Sequence, residues 1–121
     1  LIEIEVDQPK RLLVIRHRGR IGAGEVEQHF EEARAGVAKL QPGFRVLVDL
    51  SELESMDVSA APCLEKIMDL CNEKGVSKVV RVIPDPHRDI GLQIMSYFHY
   101  GSGVQITTCN TLAEAAELLR P

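Results

Sequence analysis

The chain has 121 residues, a length that fits one compact domain, with 45% hydrophobic and 26% charged residues, the balance of an ordinary globular protein. A net charge of −4 at pH 7, no Trp and 4% aromatics exclude the basic face of a nucleic-acid binder and the stacking platforms of a single-strand binder. No apolar run is long enough to cross a bilayer and nothing reads as a signal peptide; the opening Leu1 points to a native start upstream, and Cys63, Cys71 and Cys109, with no short paired spacing, point to reduced thiols in the cytoplasm.

"LIEIEVD" alternates Ile2, Ile4 and Val6 with Glu3 and Glu5, the period of a half-buried strand. "QPK" is a turn, because Pro9 fixes φ and pushes Gln8 extended. "RLLVIRHRG" is then the second strand of a hairpin. "RIGAG" reads as a glycine-rich connection. Val26, Phe30, Ala33, Val37 and Leu40 recur at helical spacing opposite Glu27, Glu31, Glu32 and Arg34, an amphipathic helix closed by "QPG".

"FRVLVDL" is a short, almost continuous apolar run, as in a strand buried on both faces. Leu64, Ile67, Met68 and Cys71 give the next helix its core stripe, and Gly75 suits its C-terminal cap. "VSKVVRVI" is another strand, and "PDPHRD" a turn with Pro86 in a first helical turn. Ile90, Ile94, Tyr97 and Phe98 predict a helix whose off-stripe Leu92 and Met95 suggest an apolar patch for a partner or a second copy. "VQITTC" is the last strand. In "TLAEAAELL", Thr111 and Glu114 fit a capping box, with Leu112, Ala115, Ala116 and Leu119 as the buried face. The order β-β-α-β-α-β-α-β-α predicts one α/β domain over residues 1–121, a mixed central sheet with helices packed on it.

Functional groups in such sheets gather beyond the carboxyl ends of strands, at helix N-termini. "MDVSAAP" lies there. With Asp57 as N-cap, Pro62 would fall past the third helical position and remove an intrahelical bond. With Ser59 as N-cap no bond is lost, so Ser59 is the expected cap, its hydroxyl facing the N–H of Ala61. That end would also suit an anion. A phosphate on Ser59 would meet free N–H groups, but also repel Asp57 by on the order of 3 kcal/mol per unit charge at about 6 Å, more than the helix dipole returns.

The run "FRVLVDLSELESMDVSAAPCLEKIMDLCNEKGVSKVVRVI" resembles the heart of the STAS domain family, the SpoIIAA-like bacterial anti-sigma-factor antagonists. "VDLS" resembles that family's strand end, and "DVSA" resembles its Asp-Ser-Ser-Gly helix opening. "TLAEAAELL" resembles its closing helix. The resemblance implies a regulatory, non-enzymatic module without a cofactor, binding an anti-sigma factor or a serine switch kinase. It implies a docking surface of Asp49, Ser51, Asp57, Val58, Ser59 and Ala60, with Ser59 as phosphoacceptor and its phosphorylation weakening docking. Val58, Ala60 and Pro62 depart from the family's serine, glycine and more flexible loop.

Two rival readings stand beside it. A lipid-carrier-related protein would hold a lipid or touch a bilayer at the "IGLQIMSYFHYG" helix. A small nucleotide-binding protein would use Gly22 and Gly24 of the Gly19–Gly24 loop, although the spacing is not G-x-G-x-x-G. His87, Arg88 and Asp89 are a weaker anion candidate than a solvated turn. His17, His29, His87 and His99 show no metal-ligand spacing, although His17 and His99 could meet in the fold. Cys63 and Cys71 face the core.

Overall fold

The structure is a computed structural model that describes residues 1–88, 91 and 99–120. β1 (Ile2–Asp7) and β2 (Leu12–His17) form the expected antiparallel hairpin, with Ile4 opposite Ile15 and Val6 opposite Leu13. β2 pairs in parallel with β4 (Arg45–Asp49), β4 with β6 (Lys78–Val82), and β6 with β7 (Gln105–Cys109). The central sheet is therefore mixed, in the order β1-β2-β4-β6-β7.

The steps from β2 to β4 and from β4 to β6 run in the same direction across the sheet. Right-handed crossovers then place α1 (Ala23–Ala38) and α2 (Ala61–Lys74) on one face. Leu13, Ile15, Val46 and Val79 meet Val26, Ala33, Val37, Leu64, Ile67 and Cys71 there in one core. Each large apolar side chain fully buried in it contributes roughly 1.5–3 kcal/mol. The opposite face packs Val14, Leu47, Val80, Val82 and Cys109 against Ala115 and Leu119 of α3 (Leu112–Leu118) and the residue after it. Val46 and Leu47 point into different cores, which is why the β4 run carries almost no polar alternation.

Two backbone hydrogen bonds close the C-terminal end of α2. Gly75 caps its C-terminus at φ 95°, donating to Asn72 O at 3.1 Å, while Val76 N–H donates to Cys71 O at 3.1 Å. A Cβ at Gly75 would also stand 3.1 Å from the Pro42 side chain, so left-handed backbone and close approach both require glycine. α3 has the expected capping contact, Glu114 N–H donating to Thr111 Oγ1 at 3.1 Å. Its C-terminal carbonyls are met from the sheet: Lys78 donates to Leu118 O and Arg45 to Leu119 O. These cations sit where the helix dipole is negative.

Two expectations change, and a third falls on residues that are not described. "GRI" in the predicted connection is a strand, β3 (Gly19–Ile21), and "LESM" is its parallel partner β5 (Leu53–Met56), a second small sheet. On α3 only the Ala115–Leu119 row is buried; Ala116 is exposed and Leu112 is 48% exposed. The helix predicted over Ile90, Ile94, Tyr97 and Phe98, with Leu92 and Met95, lies outside the described residues.

Candidate functional site

β5 delivers the chain to α2 at the carboxyl end of the sheet. Met56 is buried, and Asp57 N–H donates to Ile21 O at 2.8 Å, tying the turn to β3. Ala60 and Ala61 are buried on the other side. Between these anchors Asp57, Val58 and Ser59 are exposed, with Val58 at 70%. The intervening chain is one turn of 3-10 helix (Val58–Ala60) running straight into α2.

That turn corrects the expected cap. Asp57, not Ser59, is the N-cap: its Oδ1 accepts the Ser59 N–H at 2.9 Å and the Ser59 hydroxyl at 2.7 Å. Excluding Asp57 presumed a regular α-helical first turn, in which Pro62 would have owed a bond to Val58 O. The tighter 3-10 turn lets Ala61 N–H serve Val58 O instead. Pro62 then falls in the first two positions of α2, where no donor is needed. The free N–H groups expected for a phosphate are also largely taken. Ser59 N–H is on Asp57 Oδ1, Ala60 N–H on Asp57 O, Ala61 N–H on Val58 O, and Pro62 has none.

Eight residues upstream the same chemistry recurs. Asp49 Oδ1 accepts the Ser51 N–H at 2.9 Å and the Ser51 hydroxyl at 2.6 Å. Here Asp49 is buried, and Leu50 is tied to the sheet through its N–H on Val82 O at 2.8 Å. Arg16 of β2 reaches Asp49 Oδ2 at 3.7 Å and Glu5 of β1 at 3.0 Å. Of the six residues expected to form one docking surface, Asp49 and Ala60 are therefore interior, Ser51 is half-buried, and Asp57, Val58 and Ser59 face solvent. Ala60 turns inward because the 3-10 turn packs it against α1 and the core. The Ser59 N–H, and then its hydroxyl, hold the Asp57 carboxyl below its ordinary pKa.

The other candidates lie apart from this turn. Gly22 is the N-cap of α1 and Gly24 is in its first turn beside Glu25, whose carboxylate pairs with the Leu1 ammonium at 2.9 Å and adds a negative charge that disfavours an anion there. His87 closes a local turn on Asp85, with N–H and Nδ1 at 3.0 and 3.1 Å; Asp89 lies outside the described residues. His99 takes Asp69 at 2.6 Å and Glu65 at 3.2 Å, both on α2, and these carboxylates, Asp69 first, raise its pKa. Among the described residues no group of three His, Cys, Asp or Glu is placed to hold a metal, and no helix is long and apolar enough to cross a membrane.

A feature that motif reading missed lies between the sheet and α2. His17, Arg81 and Tyr100 are all buried and, with Leu64, Ile67 and Met68, line a cavity of about 50 Å³. A void of about 150 Å³ is what accommodates benzene, so this one has no room for an acyl chain. His17 Nδ1 has no hydrogen-bond partner among the described residues, and burial lowers the His17 pKa to about 4 against the pull of Glu25. The signal was available: His17 follows Leu13 and Ile15, and Arg81 follows Val79, each on the core-facing phase of its strand. Burial likewise raises the thiols, Cys71 to about 12, so all three stay protonated at neutral pH.

The sequence matches the STAS domain family over residues 3–115, and no curated protein matches it. Among solved structures it is similar to the anti-sigma factor antagonist SpoIIAA in its unphosphorylated form, at 18% identity over 99% of this chain and 98% of that one, with a TM-score of 0.66. A protein from Shewanella loihica with a SpoIIAA-like fold gives 22% identity over 99% and 93% of the two chains, with a TM-score of 0.66. An anti-sigma factor antagonist from Mycobacterium paratuberculosis gives 19% identity over 100% and 96%, with a TM-score of 0.63. At such identities the likeness is one of fold.

Proposed function

The chain belongs to the STAS domain family, and on that premise we propose that it is a non-enzymatic regulatory module that docks a protein partner through the exposed Asp57–Ser59 turn. The partner is an anti-sigma factor or a serine switch kinase in the cytoplasm, and residues 1–121 act as one folding unit. Ser59 is the modified residue: the γ-phosphoryl group of ATP passes to its Oγ, the hydroxyl proton is released, and ADP leaves. One observation carries the reading. Ser59 and Val58 stand in solvent on a turn pinned by buried Met56 and Ala60, so a partner meets a preformed shape rather than a floppy loop, which lowers the ordering cost of binding.

A phosphate there adds about −1.5 to −2 charge at pH 7 beside the Asp57 carboxylate. A loss of about 1.4 kcal/mol weakens a partner tenfold, well within the reach of such a charge. The test pairs partner affinity with intact mass after incubation with ATP and the host's serine kinases. Added phosphate on the wild type, none on Ser59→Ala, and weaker partner binding by the phosphorylated form are expected. Unchanged phosphorylation and affinity in Ser59→Ala would remove the switch from the account.

A further inference from the structure

The hydroxyl hydrogen of Ser59 is one of two donors that hold Asp57 in place. Both bonds end on the same oxygen, Oδ1, at 2.7 and 2.9 Å. Asp57 in turn is the cap of the 3-10 turn that carries Val58 into solvent. Phosphorylation replaces that hydrogen by a dianionic group. It removes a donor and sets a second negative group beside the Asp57 carboxylate.

Among the described residues nothing nearby relieves the clash. No cation among them pairs with Asp57, and both hydrogen bonds to its carboxylate come from Ser59. The neighbouring N–H groups that could take up a phosphate are engaged or missing, as described for Ser59, Ala60, Ala61 and Pro62. The upstream copy of the motif differs on this point, since Arg16 stands by Asp49.

We infer that Asp57 is the positioning residue that turns phosphorylation of Ser59 into a change of shape: the modification ejects the Asp57 carboxylate, uncaps the 3-10 turn and releases Val58–Ala60. This rests on Ser59 being the modified residue, but it is tested separately. Phosphoserine is installed at position 59 of the full chain by nonsense suppression, so no kinase is required. Backbone order parameters are then measured by 15N relaxation for Val58 and Ser59. The unmodified protein should give values near about 0.85, and the phosphoprotein below about 0.6.

In the Asp57→Asn phosphoprotein the values should stay near about 0.85, because an asparagine oxygen still accepts the Ser59 N–H while its amide can face the phosphate. Asp57→Ser, a neutral capping residue, should behave as Asp57→Asn and covers the case in which that variant misfolds. A turn that stays ordered in the phosphoprotein overturns the inference, as does loosening of the same size in both neutral variants. Either result leaves Ser59 as acceptor standing. Kinases that ignore Ser59 would sink the acceptor reading while leaving this lever measurable.

Discussion

Asp49-Leu50-Ser51 and Asp57-Val58-Ser59 close on the same pair of hydrogen bonds, yet Leu50 is 2% exposed and Val58 is 70% exposed. Local chemistry is therefore not what separates a structural turn from a presenting one. The first turn continues a central strand whose next residue is tied to β6, and Arg16 compensates its carboxylate. The second follows a short strand outside the central sheet and opens a helix, so only its flanks are anchored. One sequence pattern is thus held inside the fold in one place and left exposed in the other.

Stability measurements can break or sharpen that contrast, and the largest effect comes from outside both turns. His17 titrates at about 4 when folded, against about 6.5 in the unfolded chain. The unfolded state therefore binds more protons across that window, and stability falls as pH drops from about 6.5 to about 4, by about 3 kcal/mol. His99, whose pKa is raised, works in the opposite sense: its contribution is present at low pH and is lost as pH rises through its folded value. Urea titrations of His17→Leu should show the acid decline flattened in the window from about 6.5 to about 4. An undiminished decline would place its origin elsewhere, and the acid limb of the turns would need another baseline.

Asp49→Ala should come next, at roughly 2–3 kcal/mol by urea unfolding, because it strands the Ser51 donors and a half-buried Arg16. Asp57→Ala should lose only the cap, about 1 kcal/mol. Equal losses in the two variants would erase the distinction between the held turn and the exposed one. Val58→Asp should be smallest, within about 0.5 kcal/mol of wild type, as for an exposed position without special geometry. The same variant should weaken partner binding at least tenfold in calorimetry. A Val58→Asp protein that binds normally would move the docking face away from this turn.

The parts of the fold readable in the sequence are those with enough residues to show a period. The β1 alternation, the α1 and α2 stripes and the doubly buried β4 run each place several side chains on a repeating face. β3 and β5 have three and four residues, too few to set a period, and they exist because they pair with each other. On α3, Leu112/Ala116 and Ala115/Leu119 are adjacent rows at the same spacing. The contacts of the helix with the sheet select the second row, aided by Arg45 and Lys78 on its carbonyls. At the candidate site, position along the chain places an exposed turn at Asp57–Ser59, and the structure has one there. The cap differs from the expected Ser59 because a 3-10 turn, which sequence spacing does not distinguish from an α-helical one, precedes α2. Burial of Asp49 and Ala60 depends on pairing between strands and on packing against α1, which no motif records.

Phosphosite mapping on the two serines tests the central claim most directly. Wild type, Ser51→Ala and Ser59→Ala are incubated with ATP and the host's serine kinases, then read by intact mass and fragment spectra. The account predicts one phosphate on wild type and on Ser51→Ala, located at Ser59, and none on Ser59→Ala. Phosphate that persists in Ser59→Ala, or that maps to Ser51, would contradict it.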